Sequence, residues 1–284
     1  MTDVLTPLPD ILVEPIVRAA LLEDFGRAGD VTAQACLPAG EQTTARFAAR
    51  SEGRLSGLAC ARLAIAAMDP SARFEGLKAD GEDLAPGETI ATVSGDARAI
   101  LSAERVALNL MSRLCGVATL TRAYVREVAG TRARIVCTRK TTPGLRALEK
   151  YAVRCGGATN HRFGLDDAIL IKDNHIAACG GVAKALERAR AAAGHLMKIE
   201  IEVDRLDQLD EAMPFRPDVI MLDNFALDDL REAVGRVAGA VVLEASGGVN
   251  LKTARAIAET GVDAISVGAL THSAPILDIG LDID

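Results

Sequence analysis

The 284-residue sequence has no tryptophan, two tyrosines and six phenylalanines, so aromatic side chains make up only 3% of it. Acidic side chains outnumber basic ones by 39 to 32, a net charge of −7. The chain therefore lacks both the basic surface and the stacking rings of a general nucleic-acid binder, and no nucleic-acid partner is expected. It has no apolar run near the roughly 20 residues that cross a bilayer. Its opening, MTDVLTPLPDILVEP, has no basic segment followed by an apolar one. The expectation is a soluble, cytoplasmic protein with no membrane partner. Cys36, Cys60, Cys115, Cys137, Cys155 and Cys179 lie at least 18 residues apart, with no C-x-x-C pair. That spacing excludes a zinc knuckle and predicts reduced thiols, mostly in the core. Also missing are H-E-x-x-H, G-x-G-x-x-G, the phosphate loop G-x-x-x-x-G-K-[ST] and a serine-hydrolase elbow, which sets those chemistries aside.

What is present is an ordinary folding composition, 49% apolar and 25% charged. That is far from a disordered chain, and long enough for one large domain or two medium ones. The first hundred residues read as α+β: an amphipathic helix over 11–25, a strand over 43–50, a short helix over 60–68 and a strand over 89–94. Residues 75–98 are rich in Gly, Asp and Pro. From Ser102, a candidate N-cap, to about Gly130, apolar residues recur every three or four positions, which predicts a long helix.

Beyond Gly130 short apolar strands alternate with helical segments: RIVCTRK, AILIKDN, KIEIEVD, VIMLDN, VVLEASGG and AISVGAL. Such alternation predicts a parallel sheet covered by helices, and its regular pitch favours a barrel over a doubly wound sheet. About six units are visible rather than eight, so the barrel is expected to be incomplete or to carry hidden strands, one candidate being Tyr151 to Arg154. In a parallel barrel the chemistry collects where strands end at their C-terminal side. The residues there are Arg139 and Lys140, Lys172 with Asp173, Glu202, Asp223, Ser246-Gly247-Gly248 and Gly268.

Between Thr131 and Arg162 there are eight Lys or Arg and one acid, Glu149, a local balance of +7 in a chain of net −7. Such focusing predicts a polyanionic ligand, because Arg grips carboxylate or phosphate through two N–H groups and Lys supplies a point charge. Arg139 beside Lys140 and His161 beside Arg162 are the candidates, whereas Arg146, Lys150 and Arg154, four apart, also fit a solvated helix face. The Gly-rich strand ends at Ser246-Gly247-Gly248 and Gly268 offer bare backbone N–H groups for a phosphate. Glu202 and Asp223 offer hard oxygen ligands for a divalent cation such as magnesium, or else simply pair with nearby lysines.

The run TRKTTPGLRALEKYAVRCGGATNHRFGLDDAILIKDNH (138–175), with IEIEVD, VIMLDN, EASGGV and SVGALTHS, closely resembles quinolinate phosphoribosyltransferases. The resemblance extends to LLEDFGRAGDVT (21–32) and SAERVALNLMSRLCGVAT (102–119). It implies an N-terminal α/β sandwich over 1–112, to which a tail over 273–284 returns, and a C-terminal open α/β barrel over 113–272. It implies a homodimer with active sites shared between subunits, and transfer of phosphoribose from phosphoribosyl pyrophosphate (PRPP) to quinolinate. The products are then nicotinate mononucleotide, pyrophosphate and CO2, with Mg2+ required. By the same resemblance Arg105 reaches quinolinate from the partner subunit, Arg139, His161, Arg162 and Lys172 hold its two carboxylates, and Thr138 is a further substrate-binding residue. Lys140 and Lys172 border the pyrophosphate, Glu202 and Asp223 bind ribose hydroxyls and magnesium, and Lys140, Lys172, Glu202 and Asp223 form the catalytic set. Ser246, Gly247, Gly248 and Gly268 take the 5′-phosphate, with His272 near it. Ala158 departs from the family pattern, which has a third Gly there. Phosphoribosyltransferase-like proteins of molybdate-transport operons and transferases of monoacid pyridines are the alternatives; retention of both NHR at 160–162 and IKDNH at 171–175 favours quinolinate.

Overall fold

The structure is a computed structural model that describes residues 5–283. Its first elements are α1 (Asp10–Phe25), α2 (Val31–Cys36), β1 (Gln42–Ala49), β2 (Gly53–Arg54), α3 (Leu58–Met68), β3 (Arg73–Gly76), β4 (Asp83–Leu84), β5 (Thr89–Asp96) and α4 (Ala97–Glu127). They are followed by β6 (Arg134–Val136), α5 (Arg146–Cys155), β7 (Ile169–Ile171), α6 (Asp173–Cys179), α7 (Val182–Ala192), β8 (Ile199–Val203) and α8 (Leu206–Ala212). The chain ends through β9 (Val219–Asp223), α9 (Leu227–Val237), β10 (Val242–Ser246), α10 (Leu251–Ala258), β11 (Ala264–Ser266), α11 (Ala269–His272) and β12 (Ile279–Ile283). No helix among the described residues is long and apolar enough to cross a membrane.

Packing divides the chain into two units, both discontinuous in sequence. The first holds the described residues up to Arg122, Thr141–Gly157 and those from Leu270 onward; the second holds Ala123–Lys140 and Ala158–Ala269. This division differs from a cut at 112/113, because residues 113–122, 141–157 and 270–272 pack with the first unit.

The first unit is an α/β sandwich. Its sheet runs β12-β1-β5-β3 with every pairing antiparallel. Ala45, Phe47, Ile90 and Val93 are buried on it, and Phe47 meets Phe74 with ring centroids 6.0 Å apart. Helix α1 buries Val13, Val17 and Leu21, a stripe of period four, and lies against α3, whose buried residues are Cys60, Ala61, Ala64 and Ile65. Small side chains on α3 permit that close approach. The tail is seated on α4 by a glycine: a Cβ at Gly116 would fall 1.9 Å from the Pro275 carbonyl oxygen.

Two local expectations change here. The long helix begins at Ala97 rather than Ser102, because Asp96 accepts the Ala99 backbone N–H (3.0 Å) and so caps the start. Ser102 instead donates its hydroxyl to Asp30 (2.9 Å), which itself caps α2. Residues 151–154 are helix, within α5, and not a hidden strand: Leu148, Tyr151, Ala152 and Cys155 are buried at helical spacing. Lys150 on the same helix is buried, so it does not belong to a solvated basic face.

The second unit is an open β/α barrel. Six parallel strands stand in the order β6-β11-β10-β9-β8-β7, so the chain winds steadily from β7 to β11 and β6 closes beside the last of them. On its other side β6 meets a single parallel bridge, Val136 to Thr159. The last four of these strands begin at 199, 219, 242 and 264, the regular pitch expected of successive β/α units.

Candidate active site

The alternation of each barrel strand decides what faces inward. In β8, IEIEV, all five residues are buried. Ile199, Ile201 and Val203 take one face, and Glu200 and Glu202 take the other. Across the ladder Glu202 pairs with Met221 of β9, and Met221 pairs with Glu244 of β10. These inward positions line a cavity of about 390 Å³ together with Thr138, Arg139, Lys140, His161, Arg162, Leu170, Lys172, Asp223, Ser246 and Ser266. All of them belong to the second unit.

The structure thus brings together nine of the fourteen site residues expected from sequence, the exceptions being Arg105, Gly247, Gly248, Gly268 and His272. Gly247 and Gly248 sit in the loop between β10 and α10, both at positive φ (91° and 59°). A Cβ at Gly247 would lie 2.1 Å from the Asn224 side-chain oxygen, so only glycine fits. Consecutive positive-φ residues turn their N–H groups into a concave cradle suited to an anion. Gly268 joins β11 to α11. His272 is exposed and hydrogen-bonds to Ser273 (2.6 Å); it groups with the first unit. Arg105 lies on α4, also in the first unit, and lines a different hollow with Asp24, Phe25, Asp30 and Ser102.

Within the cavity, cations and carboxylates are interleaved. Lys172 stands at the start of α6, its ammonium 2.5 Å from Glu202. The Lys172 backbone N–H donates to His175 Nδ1 (3.0 Å), which holds that residue at the helix start. Asn224, itself at positive φ, donates to Asp223 (2.6 Å). The Arg162 guanidinium donates to the Ala168 carbonyl (3.0 Å), while its buried Nε has no hydrogen-bond partner. Burial, then the neighbouring Arg139, holds the Arg162 pKa below the usual arginine value. Two guanidiniums close together, one with a buried N–H unmet, form a site that gains from an incoming anion. Glu202 and Asp223 supply hard oxygen ligands at the cavity wall, a donor set that fits magnesium with substrate oxygens completing its shell.

Sequence reasoning missed Glu200 and Glu244. His161 Nε2 is 2.9 Å from Glu200 and 3.7 Å from Glu244. Burial, and after it the charge of Glu200, pushes the Glu244 carboxyl up to about 7. The signal was in the strands themselves: a glutamate two residues before an inward-facing strand end, as in Glu200/Glu202 and Glu244/Ser246, must face inward too.

Family models describe the same two-part chain. The quinolinate phosphoribosyl transferase N-terminal domain matches residues 30–115, and the C-terminal domain matches residues 117–282. A probable nicotinate-nucleotide pyrophosphorylase [carboxylating] of Bacillus subtilis is 48% identical over 95% of this chain and 93% of its own length. The nicotinate-nucleotide pyrophosphorylase [carboxylating] of Mycobacterium leprae is 47% identical over 94% of this chain and 95% of its own. Among solved structures, the nicotinate-nucleotide pyrophosphorylase from Francisella tularensis superposes with a TM-score of 0.93 at 39% identity, covering 100% of both chains. With both domain models matched and relatives near half identical over almost their whole length, the chain belongs to the quinolinate phosphoribosyltransferase family.

Proposed function

We propose that this protein transfers phosphoribose from PRPP to quinolinate and releases CO2, giving nicotinate mononucleotide and pyrophosphate for de novo NAD biosynthesis. The observation that carries the reading is the cavity in which Arg139, Lys140, Arg162 and Lys172 surround the carboxylates Glu202 and Asp223, with a buried Arg162 Nε still unmet. A pyridine with two adjacent carboxylates answers the guanidinium pair, and a ribose ring between two phosphate groups answers the rest.

In this reading Arg139 and Arg162, with Thr138 and Lys172, hold the quinolinate carboxylates so that the ring nitrogen faces the anomeric carbon. Glu202 and Asp223 bind the ribose hydroxyls, and their charge steadies the positive carbon that develops as pyrophosphate departs. Lys140 and Lys172 meet the charge growing on the leaving group. Ser246, Gly247, Gly248 and Gly268 cradle the 5′-phosphate. Magnesium, which Glu202 and Asp223 would hold directly or through water, supplies further positive charge to the pyrophosphate. The pyridinium product is an electron sink, so its 2-carboxylate leaves as CO2 without a protein nucleophile. Lys172 or a water is the proton donor this reading assigns to the ring carbon.

The same reading makes the enzyme a cytoplasmic homodimer in which Arg105 completes the partner's site. Free cysteines support a reducing compartment. Mixed subunits test the sharing: heterodimers of Arg105→Ala and Lys140→Ala, each inactive alone, regain activity if the site is composite. The primary experiment incubates the protein with PRPP, magnesium and carboxyl-labelled quinolinate, with nicotinate in parallel. Stoichiometric CO2 and nicotinate mononucleotide, needing all three components, is the expected result. Turnover of nicotinate alone would overturn the assignment.

A further inference from the structure

An ordinary β/α barrel fills its inner layer with branched apolar side chains. Here the inward layer holds Glu200 and Glu244, 6% and 4% exposed, both close to His161, and of the three only Glu200 lies outside the cavity lining. Two carboxylates this deep cost stability unless they are paired, and one oxygen of each, Oε1, has no hydrogen-bond partner. Packing alone does not account for them.

The imidazole shows what they do. His161 Nδ1 accepts the backbone N–H of Arg162 at 2.8 Å, so that nitrogen carries a lone pair and no proton. Its Nε2 carries the hydrogen and donates it to Glu200 at 2.9 Å, with Glu244 3.7 Å from the same nitrogen. Both ring nitrogens are thus engaged within the protein. That differs from the expectation that His161 itself grips a substrate carboxylate. Its neighbour does have a free donor: Arg162 lines the cavity with its Nε unmet, and Glu200 is among the charges that favour its cationic form.

We infer that Glu200 and Glu244 are positioning residues, which lock His161 as the Nε2–H tautomer so that its Nδ1 holds the Arg162 backbone and aims the guanidinium into the cavity. The inference deepens the quinolinate reading and rests on it for the identity of the anion. The three side chains also offer ligand atoms within 4.8 Å of one another, the spacing of a metal site. Arg139 and Arg162 line the same cavity and oppose a divalent cation there.

The first test needs no substrate. Ligand-free enzyme labelled with 15N-histidine is expected to show His161, assigned by its loss in His161→Asn, with one protonated and one lone-pair nitrogen near neutral pH. A doubly protonated imidazolium would overturn the inference. The second test is kinetic. Glu200→Gln keeps an acceptor for Nε2–H, whereas Glu200→Leu does not, so the KM for quinolinate is expected to rise about tenfold in the Leu variant and by less than about threefold in the Gln variant. The KM for PRPP stays put in both. His161→Asn, whose side-chain oxygen can stand in for Nδ1, is expected to be impaired less than His161→Leu. Equal impairment of the two, or parallel rises in both KM values, would sink the positioning role. Should wild-type enzyme fail to turn over quinolinate, the proposed function falls while the tautomer measurement still decides the geometry; a Glu200→Leu variant that does not fold leaves Glu200→Gln and the tautomer to decide.

Discussion

Glu149 in the first unit and Glu244 in the barrel are both buried carboxylates, and they are treated in opposite ways. Glu149, on α5, has a side chain with no exposure and accepts four hydrogen bonds: Arg113 Nη2 (2.9 Å) and Nε (3.3 Å), the Thr142 backbone N–H (3.0 Å) and the Thr142 hydroxyl (2.8 Å). Arg113 in turn donates to the Ala274 carbonyl (2.9 Å) and to that of Thr271. Every charge there is answered by the protein, and the network ties α4, α5 and the C-terminal segment of that unit together. In the barrel, Glu244 stands beside another carboxylate, Arg162 beside another guanidinium, and each keeps an unmet polar atom. Buried charge that serves architecture is saturated; buried charge that serves a ligand is left incomplete, at a cost the rest of the fold carries.

The largest effect expected from this contrast is functional. Arg139→Ala should lower kcat/KM for quinolinate by about 10⁴-fold, about 5 kcal/mol of transition-state stabilisation. Its melting temperature should match the wild type, and near-normal turnover would remove Arg139 from the site. Next comes Glu149→Leu, which leaves the largely buried Arg113 without its partner. Chemical denaturation should show a loss of about 3 to 5 kcal/mol. A loss under about 1 kcal/mol would erase the distinction between the two carboxylates.

Glu244→Gln sharpens the contrast through pH. Because the folded Glu244 carboxyl is pushed up to about 7, the folded state binds its proton more tightly than the unfolded chain does. Its contribution is therefore fully present below the ordinary carboxylate range and is lost as pH rises through about 7. The neutral Gln variant lacks that loss, so its melting temperature should gain on the wild type between acid and mildly alkaline pH. Parallel curves would show that the carboxyl is not proton-bound in the fold.

The smallest effect concerns Asp30, whose carboxyl is held below its usual range by the Ala33 backbone N–H and then the Ser102 hydroxyl. Asp30→Ala should cost about 1 kcal/mol at neutral pH. The sign is opposite to Glu244: this stabilisation is present above the ordinary carboxylate pKa and fades as pH falls through the depressed folded value, so the two chains should converge in acid.

Most of the cavity was legible before the structure, since Arg139, Lys140, Lys172, Glu202 and Asp223 all stand at or just beyond strand ends, and a parallel barrel gathers those ends on one side. Glu200 and Glu244 were not singled out, because reading only the last residue of each strand ignores the one two places earlier. The helix start at Ala97 was obscured because Asp96 also ends a strand, so the turn signal and the cap coincide. Residues 141–157 were assigned to the barrel by their place in the chain. Their buried face, including Glu149 on Arg113, joins them to the other unit, and no local pattern reports that partner.

The sequence by itself determined the alternation of strands and helices, the open barrel and the chemistry at its strand ends, because side-chain period and strand polarity are local properties. Only the tertiary structure decided that Glu200 and Glu244, on strands separated by β9, share one imidazole, and that both nitrogens of His161 are spent inside the protein. Burial and hydrogen-bond partnership depend on which strands become neighbours, and that is settled when the sheet curls and brings its inward faces together.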